Sequence, residues 1–162
     1  MKDWELAYIA GLTDGEAHVG IQRDASPKRK TPAYVLRFEI GMTDREPLDF
    51  INSLLPNAKL VKVNTKGRRL AYYRLRLVHQ EALTLLKEIL PYLQAKKKQV
   101  ELCIKLDELR QSYSPSRIHI GKAKFQPMPP EFTQQAEQIY WQMRSLHLNK
   151  KPRNKQAVER LI

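Results

Sequence analysis

Ile9-Ala10-Gly11-Leu12-Thr13-Asp14-Gly15-Glu16-Ala17 is the stretch that decides how this chain is read. Its pattern is apolar, Ala, Gly, two free positions, Asp, Gly, acid, small. From average composition those seven specified positions coincide by accident in on the order of one chain in ten thousand. The stretch closes a helical segment. Trp4, Ala7, Tyr8, Gly11 and Leu12 recur at helical spacing, Asp3 stands where a cap belongs, and the helix should end near Asp14-Gly15. Ala7, Ala10, Gly11 and Asp14 lie about one turn apart on one face, which lets two such helices approach closely. Glu16 emerges where the helix ends. Two copies side by side would bring two carboxylates together at a symmetry axis, an arrangement suited to a divalent cation and phosphate oxygens.

Outward from this helix the periodicity changes. Ala17 to Arg23 alternates, with Val19 and Ile21 facing one way and His18, Gly20 and Gln22 the other, as in a half-buried strand. Asp24 to Pro32 holds a serine, two prolines and three basic residues and reads as a loop. Tyr34, Leu36, Phe38 and Ile40 then alternate with Val35, Arg37, Glu39 and Gly41, completing a hairpin. Thr43 with Glu46 three residues on is a capping-box pattern. It opens a helix with Pro47 in its first turn and Leu48, Ile51, Leu54 and Leu55 on its apolar face, stopped by Pro56-Asn57. A second hairpin carries Leu60, Val61 and Val63, a turn near Thr65 to Arg68, and Tyr73, Leu75 and Leu77 alternating with Tyr72, Arg74 and Arg76. Gln80–Leu90, Lys96–Leu109 and Glu131–Leu148 read as helices, Ser112 to Pro130 as mostly loop, and Lys150 to Lys155 as a basic, frayed end.

The order predicts an α+β fold, αββαββα followed by extra C-terminal helices. Two hairpins pair into one antiparallel four-stranded sheet with helices on one face. One domain accounts for residues 1–162, with a core of about 4–110, a helical extension of about 111–149 and a basic tail at 150–162. The sheet's other face is open. On this reading it carries His18, Gln22, Arg37, Glu39, Lys62, Asn64, Arg74 and Arg76, with Arg68 in the adjoining turn. Such a set suits a β-ribbon in a DNA major groove: arginine for guanine, glutamine and asparagine for adenine, glutamate for cytosine.

The bulk composition agrees. The 162 residues include 29 Lys and Arg against 17 Asp and Glu, a net charge of +12, which favours a polyanionic partner. With 42% hydrophobic residues the chain is not of disordered type. Cys103, the one cysteine, falls in an apolar helical pattern and reads as a core residue in a reducing compartment. No apolar run reaches membrane-spanning length. The acid-bearing N-terminal stretch is not that of a secretory leader. The scattered histidines form no zinc module.

Residues 9–17 resemble the LAGLIDADG motif of homing endonucleases, and two further segments are similar to that family. Gly41-Met42-Thr43-Asp44-Arg45-Glu46-Pro47-Leu48 resembles its junction after the second strand, and Pro91-Tyr92-Leu93-Gln94-Ala95-Lys96-Lys97-Lys98-Gln99 its later lysine segment. The resemblance covers roughly residues 4–110. It implies a metal-dependent, site-specific double-strand DNA endonuclease that leaves 3′ overhangs and initiates intron homing. Glu16 and the Gly15 carbonyl would bind Mg²⁺, or another divalent cation such as Mn²⁺. Lys96 would be the active-site lysine, and Asp14 would be structural at the helix end and dimer contact. Glu16 stands where aspartate is commoner. Met42 stands where a glutamine often orders water, leaving Arg45 as the nearest basic group to organise solvent. One motif per chain implies a homodimer on a pseudo-palindromic duplex. The same fold also serves intron RNA maturases and non-cleaving DNA-binding regulators; RNA preference, or binding without cutting, would distinguish those. The expected setting is intracellular, a bacterial cytoplasm or an organelle (chloroplast or mitochondrion), and a chain beginning with Met favours an intron origin.

Overall fold

The structure, a computed structural model, describes residues 1–26, 31–64, 70–113 and 128–148. The elements run α1 (Asp3–Glu16), β1 (Ala17–Asp24), β2 (Ala33–Met42), α2 (Glu46–Leu54), β3 (Lys59–Val63), β4 (Tyr72–Val78), α3 (His79–Ile89), a 3-10 turn (Leu90–Tyr92), α4 (Lys97–Tyr113) and α5 (Pro130–Leu148). The fold is α+β, with one four-stranded antiparallel sheet in the order β1-β2-β4-β3. The two hairpins meet through β2 and β4.

Alternation along the strands decides which face the helices cover. Ala17, Val19 and Ile21 of β1, Tyr34, Leu36, Phe38 and Ile40 of β2, and Leu75 and Leu77 of β4 are buried. Burying each Leu, Ile or Phe contributes about 1.5–3 kcal/mol. A one-residue register slip would turn Arg37, Glu39, Arg74 and Arg76 into that layer instead, so the register is firmly specified. Ile9, Ala10 and Thr13 of α1 and Ala82, Leu83, Leu85, Leu86 and Ile89 of α3 close the layer from the other side.

α4 and α5 pack on each other and on the β1 side of the sheet. Phe132, Ala136, Ile139 and Met143 form the buried stripe of α5. Polar anchors fix this extension to the first hairpin. Arg110 donates to the Tyr34 carbonyl at 2.7 Å, and Glu137 takes the Arg23 guanidinium at 3.0 Å and the Tyr34 hydroxyl. At the end of α5, His147 Nε2 lies 3.1 Å from the Val19 carbonyl oxygen, covering part of the exposed β1 edge. Cys103 is fully buried in α4, and burial pushes its thiol up to about 12. It is a core residue with no thiolate character.

The boundaries differ from expectation in three places. Lys2, not Asp3, precedes the first helical residue, and its amide donates to Glu5 at 2.7 Å. α2 starts at Glu46 rather than after Thr43, with Asp44 accepting from the Glu46 amide at 3.1 Å. The reason is Pro47. A helix capped by Thr43 would need an amide hydrogen at that position, and proline has none. α4 runs on to Tyr113, beyond Leu109. The expected turn at 65–68, most of the loop between α4 and α5, and the basic tail lie outside the described residues.

Candidate active site and sheet face

α1 passes into β1 without a loop, so Glu16, its last residue, stands at the corner between the helix layer and the sheet. Glu16 is exposed, and its carboxylate meets no hydrogen-bond or ion-pair partner among the described residues. The turn that presents it is held with unusual economy. Lys96 is 7% exposed, and its ammonium donates to the carbonyls of Thr13 at 2.6 Å and Asp14 at 2.7 Å. A cation at a helix C-terminus satisfies carbonyls that have no intrahelical partner and meets the negative end of the helix dipole. In return, Asp14 accepts from the backbone amides of Gln94 at 2.7 Å and Lys96 at 2.9 Å, just before α4 begins. Burial pushes the Asp14 carboxyl up, but the amides of Gln94, Ala95 and Lys96 and the Lys96 charge outweigh it and hold the group below its ordinary value.

The outward face of α1 differs from the expected one. Trp4, Ala7, Tyr8, Gly11 and Gly15 form the exposed stripe. A side chain added at Gly11 or Gly15 would meet nothing within 4 Å. Ala10 is 1% exposed and belongs to this chain's own core, and Asp14 is turned to the α4 loop. A second helix could meet Ala7 and Gly11 but not these two. Trp4 stacks on Phe50 of α2 at 5.7 Å between ring centroids, and Tyr8 meets the same ring edge-on at 5.5 Å. The stripe thus continues onto α2.

Arg45 is engaged by neighbours of its own. It pairs with Asp49 at 3.0 Å and lies over the Tyr73 ring at 5.7 Å. Met42 is partly buried against the core.

On the open sheet face the strand register aligns His18, Glu39, Arg76 and Lys59 in one transverse row. Beside it Gly41, Arg74 and Val61 form a second row, with Arg37 on the far side of Glu39. Arg76 Nε donates to Glu39 Oε1 at 2.6 Å, Arg37 Nη1 lies 3.9 Å from the same oxygen, and Arg74 Nε lies 3.8 Å from Oε2. Burial pushes the Glu39 carboxyl up, yet the Arg76 hydrogen bond and the three guanidinium charges prevail and hold it below its ordinary value. Burial pulls the His18 imidazole down; Glu39 opposes this, and Arg37 and Lys96 add to it. Gln22 is exposed near the end of β1.

One expected member of this face is elsewhere. Lys62 pairs with Tyr73, and Leu60 with Leu75, on the helix side of the sheet. Asn64 is exposed and lies just past the end of the strand. Lys59 takes the place on the open face that Lys62 was expected to hold. Leu60-Val61 puts two apolar residues in succession, so this short strand gives no phase by itself. Tyr72 was also missed. Its hydroxyl end lies so close over Gly41 that a side chain there would displace it. Arg68 lies outside the described residues.

Read as a sequence, the chain matches no protein-family model and no curated protein. Its structure does find neighbours. Homing endonuclease I-CvuI, in complex with the I-CreI target in the presence of Mg with the DNA not cleaved, gives a TM-score of 0.71 at 18% identity, over 93% of this chain and 86% of that one. The archaeal intron-encoded homing endonuclease I-Vdi141I, complexed with DNA, gives 0.69 at 12% identity, over 96% of this chain and 91% of that one. The LAGLIDADG meganuclease I-CpaMI, bound to uncleaved DNA, gives 0.56 at 23% identity, over 67% of this chain and 39% of that one. The fold is that of the LAGLIDADG homing endonucleases.

Within this LAGLIDADG fold the Lys96 and Asp14 bonds should register in stability. Lys96→Met leaves two inward carbonyls without their cation and is expected to cost about 1.5–3 kcal/mol, read as a lower urea midpoint at unchanged slope. A cost near zero would mean that Lys96 does not hold the turn in solution. Asp14, whose folded value is depressed, contributes stability that is complete above its unfolded value near 3.8 and lost as pH falls through the lower folded one. Asp14→Asn should therefore flatten the acid limb of the stability profile. An unchanged limb would contradict the assignment.

Proposed function

We propose that the chain is a site-specific double-strand DNA endonuclease that acts as a homodimer. The observation that carries this reading is the placement of Glu16. An exposed carboxylate with no partner among the described residues ends a helix whose outward stripe is small and open at Gly11 and Gly15. The cationic sheet face lies next to it. The likeness of fold to homing endonucleases solved with DNA supports the same reading.

A second copy would seat its α1 against Ala7, Gly11 and Gly15, flanked by Trp4 and Tyr8. Each chain would lay its sheet in the major groove of one half-site, where Arg37, Arg74, Arg76, His18 and Gln22 face the bases and Lys59 adds phosphate attraction. No group of three or more His, Cys, Asp or Glu that could hold a metal exists among the described residues. One chain thus offers half a site: the Glu16 carboxylate and the Gly15 carbonyl. Both are hard oxygen donors, which fits Mg²⁺ or Mn²⁺, and two copies would complete the set. Such an ion, when bound, neutralises phosphate charge and makes water a better nucleophile. Lys96 fixes the turn that aims Glu16 and adds positive charge beneath it. Arg45, held by Asp49 and Tyr73, serves at most through solvent. The resemblance of residues 9–17 to the LAGLIDADG motif supports an intron-encoded role, in a bacterial cytoplasm or an organelle, for this activity. No helix among the described residues is long and apolar enough to cross a membrane.

Two experiments test the reading. A randomised duplex library incubated with the protein and Mg²⁺ should be cut at one pseudo-palindromic site of about two helical turns. Glu16→Gln should bind that site unchanged and cut it about a hundredfold more slowly or worse. Full cleavage by Glu16→Gln would end the assignment of that residue, and RNA preferred over duplex would end the endonuclease reading. Gly11→Leu should keep the wild-type circular dichroism spectrum while weakening self-association by about tenfold or more in sedimentation. Undiminished association would place the dimer contact elsewhere.

A further inference from the structure

Glu39 was expected to accept a hydrogen bond from cytosine, and its surroundings argue for a different task. Its side chain is 16% exposed, whereas those of Arg37, Arg74 and Arg76 are 35–39% exposed. The carboxylate therefore lies beneath the guanidinium layer. A base edge entering from the groove meets the arginines first. One of its oxygens already takes Arg76 Nε at 2.6 Å, and Arg37 and Arg74 stand within 4 Å of the two oxygens.

The atom used by Arg76 matters. A guanidinium anchored through Nε keeps its two terminal nitrogens side by side and directed away from the anchor. That pair is the donor fork that matches guanine O6 and N7. Arg74 also turns its Nε toward the carboxylate. Without an anchor, each arginine would have to give up rotamer freedom on meeting the base. Three guanidinium charges around this spot also attract any phosphate, regardless of sequence, and one partly buried carboxylate reduces that attraction.

We infer that Glu39 is a positioning residue for sequence discrimination: it fixes the Arg76 and Arg74 forks for guanine and lowers sequence-blind affinity. This rests on the DNA-reading role proposed above and adds a specific device to it. Glu39 acts through the arginines and touches no base itself.

The test uses the full chain, its recovered target, the same target with each guanine replaced in turn, and an unrelated duplex, over a range of salt. Glu39→Gln is close in shape and removes one negative charge. It should bind the unrelated duplex several-fold more tightly with a steeper salt dependence, and lose about tenfold of its discrimination at guanines contacted by Arg76 and Arg74. Glu39→Asp keeps the charge on a shorter arm. It should lose discrimination without the rise in unrelated binding, so the two effects separate even if one variant folds poorly. In an Arg76→Ala background, Glu39→Gln should change nothing further at the Arg76 guanine. Loss confined to a cytosine, with guanine discrimination intact, would make Glu39 a direct reader and overturn the proposal, as would unchanged discrimination in both variants. A wild-type protein indifferent to duplex sequence would overturn the DNA-reading role itself, and with it this one.

Discussion

The reciprocal tie between α1 and the start of α4 is the constraint on which the rest depends. Lys96 sends its ammonium into the carbonyls that end α1, and Asp14 sends its carboxylate into the amides that precede α4. Each helix terminus thus satisfies the other with a full charge, which makes these among the stronger hydrogen bonds a protein can form. The result is a helix end that does not fray. Glu16, two residues beyond Asp14, inherits that fixity while its own oxygens meet no partner among the described residues. A catalytic acid needs both properties together, since misplacement of a reacting group is costly.

Most of the fold was legible because burial imposes simple periods. The two-residue alternation in β1, β2 and β4 and the three-to-four spacing in α3 and α5 placed those elements to within a residue or two. Reading failed where the period was too short to set a phase or where a long-range partner decides. β3 has five residues with Leu60 and Val61 adjacent, so Lys62 was placed on the wrong face and Lys59 was overlooked. The α1 stripe was expected one flank too far round, since Ala10 and Asp14 are small or polar whichever neighbour they meet. At α2 a capping pattern at Thr43 gave way to the missing amide hydrogen of Pro47. Within the candidate site, the motif pointed to Glu16, Asp14 and Lys96 as one cluster, whereas their division of labour rests on contacts about eighty residues apart.

Charge is distributed with the same logic. Four of the 29 Lys and Arg residues, Arg37, Arg74, Arg76 and Lys59, share the open face of the sheet, and one partly buried glutamate sits among them. In the proposed DNA-reading role, sequence-blind attraction and base-specific reading compete for the same arginines. A carboxylate placed under the guanidinium layer shifts that competition toward reading. The α4–α5 extension supports the same surface from outside: Glu137 holds Arg23 and Tyr34 of the first hairpin, and His147 lies against the β1 edge beside His18.

On the proposed reading one chain is half of the functional unit: its described residues offer one candidate metal-binding acid, Glu16, and one cationic sheet face. The most direct measurement is the native mass of the protein bound to its recovered target duplex in Ca²⁺ or another ion that does not support cutting. The account predicts two chains on one duplex, with protection symmetric about the cleavage centre. A single chain on the whole target, with both strands cut at that stoichiometry when Mg²⁺ is added, would contradict it.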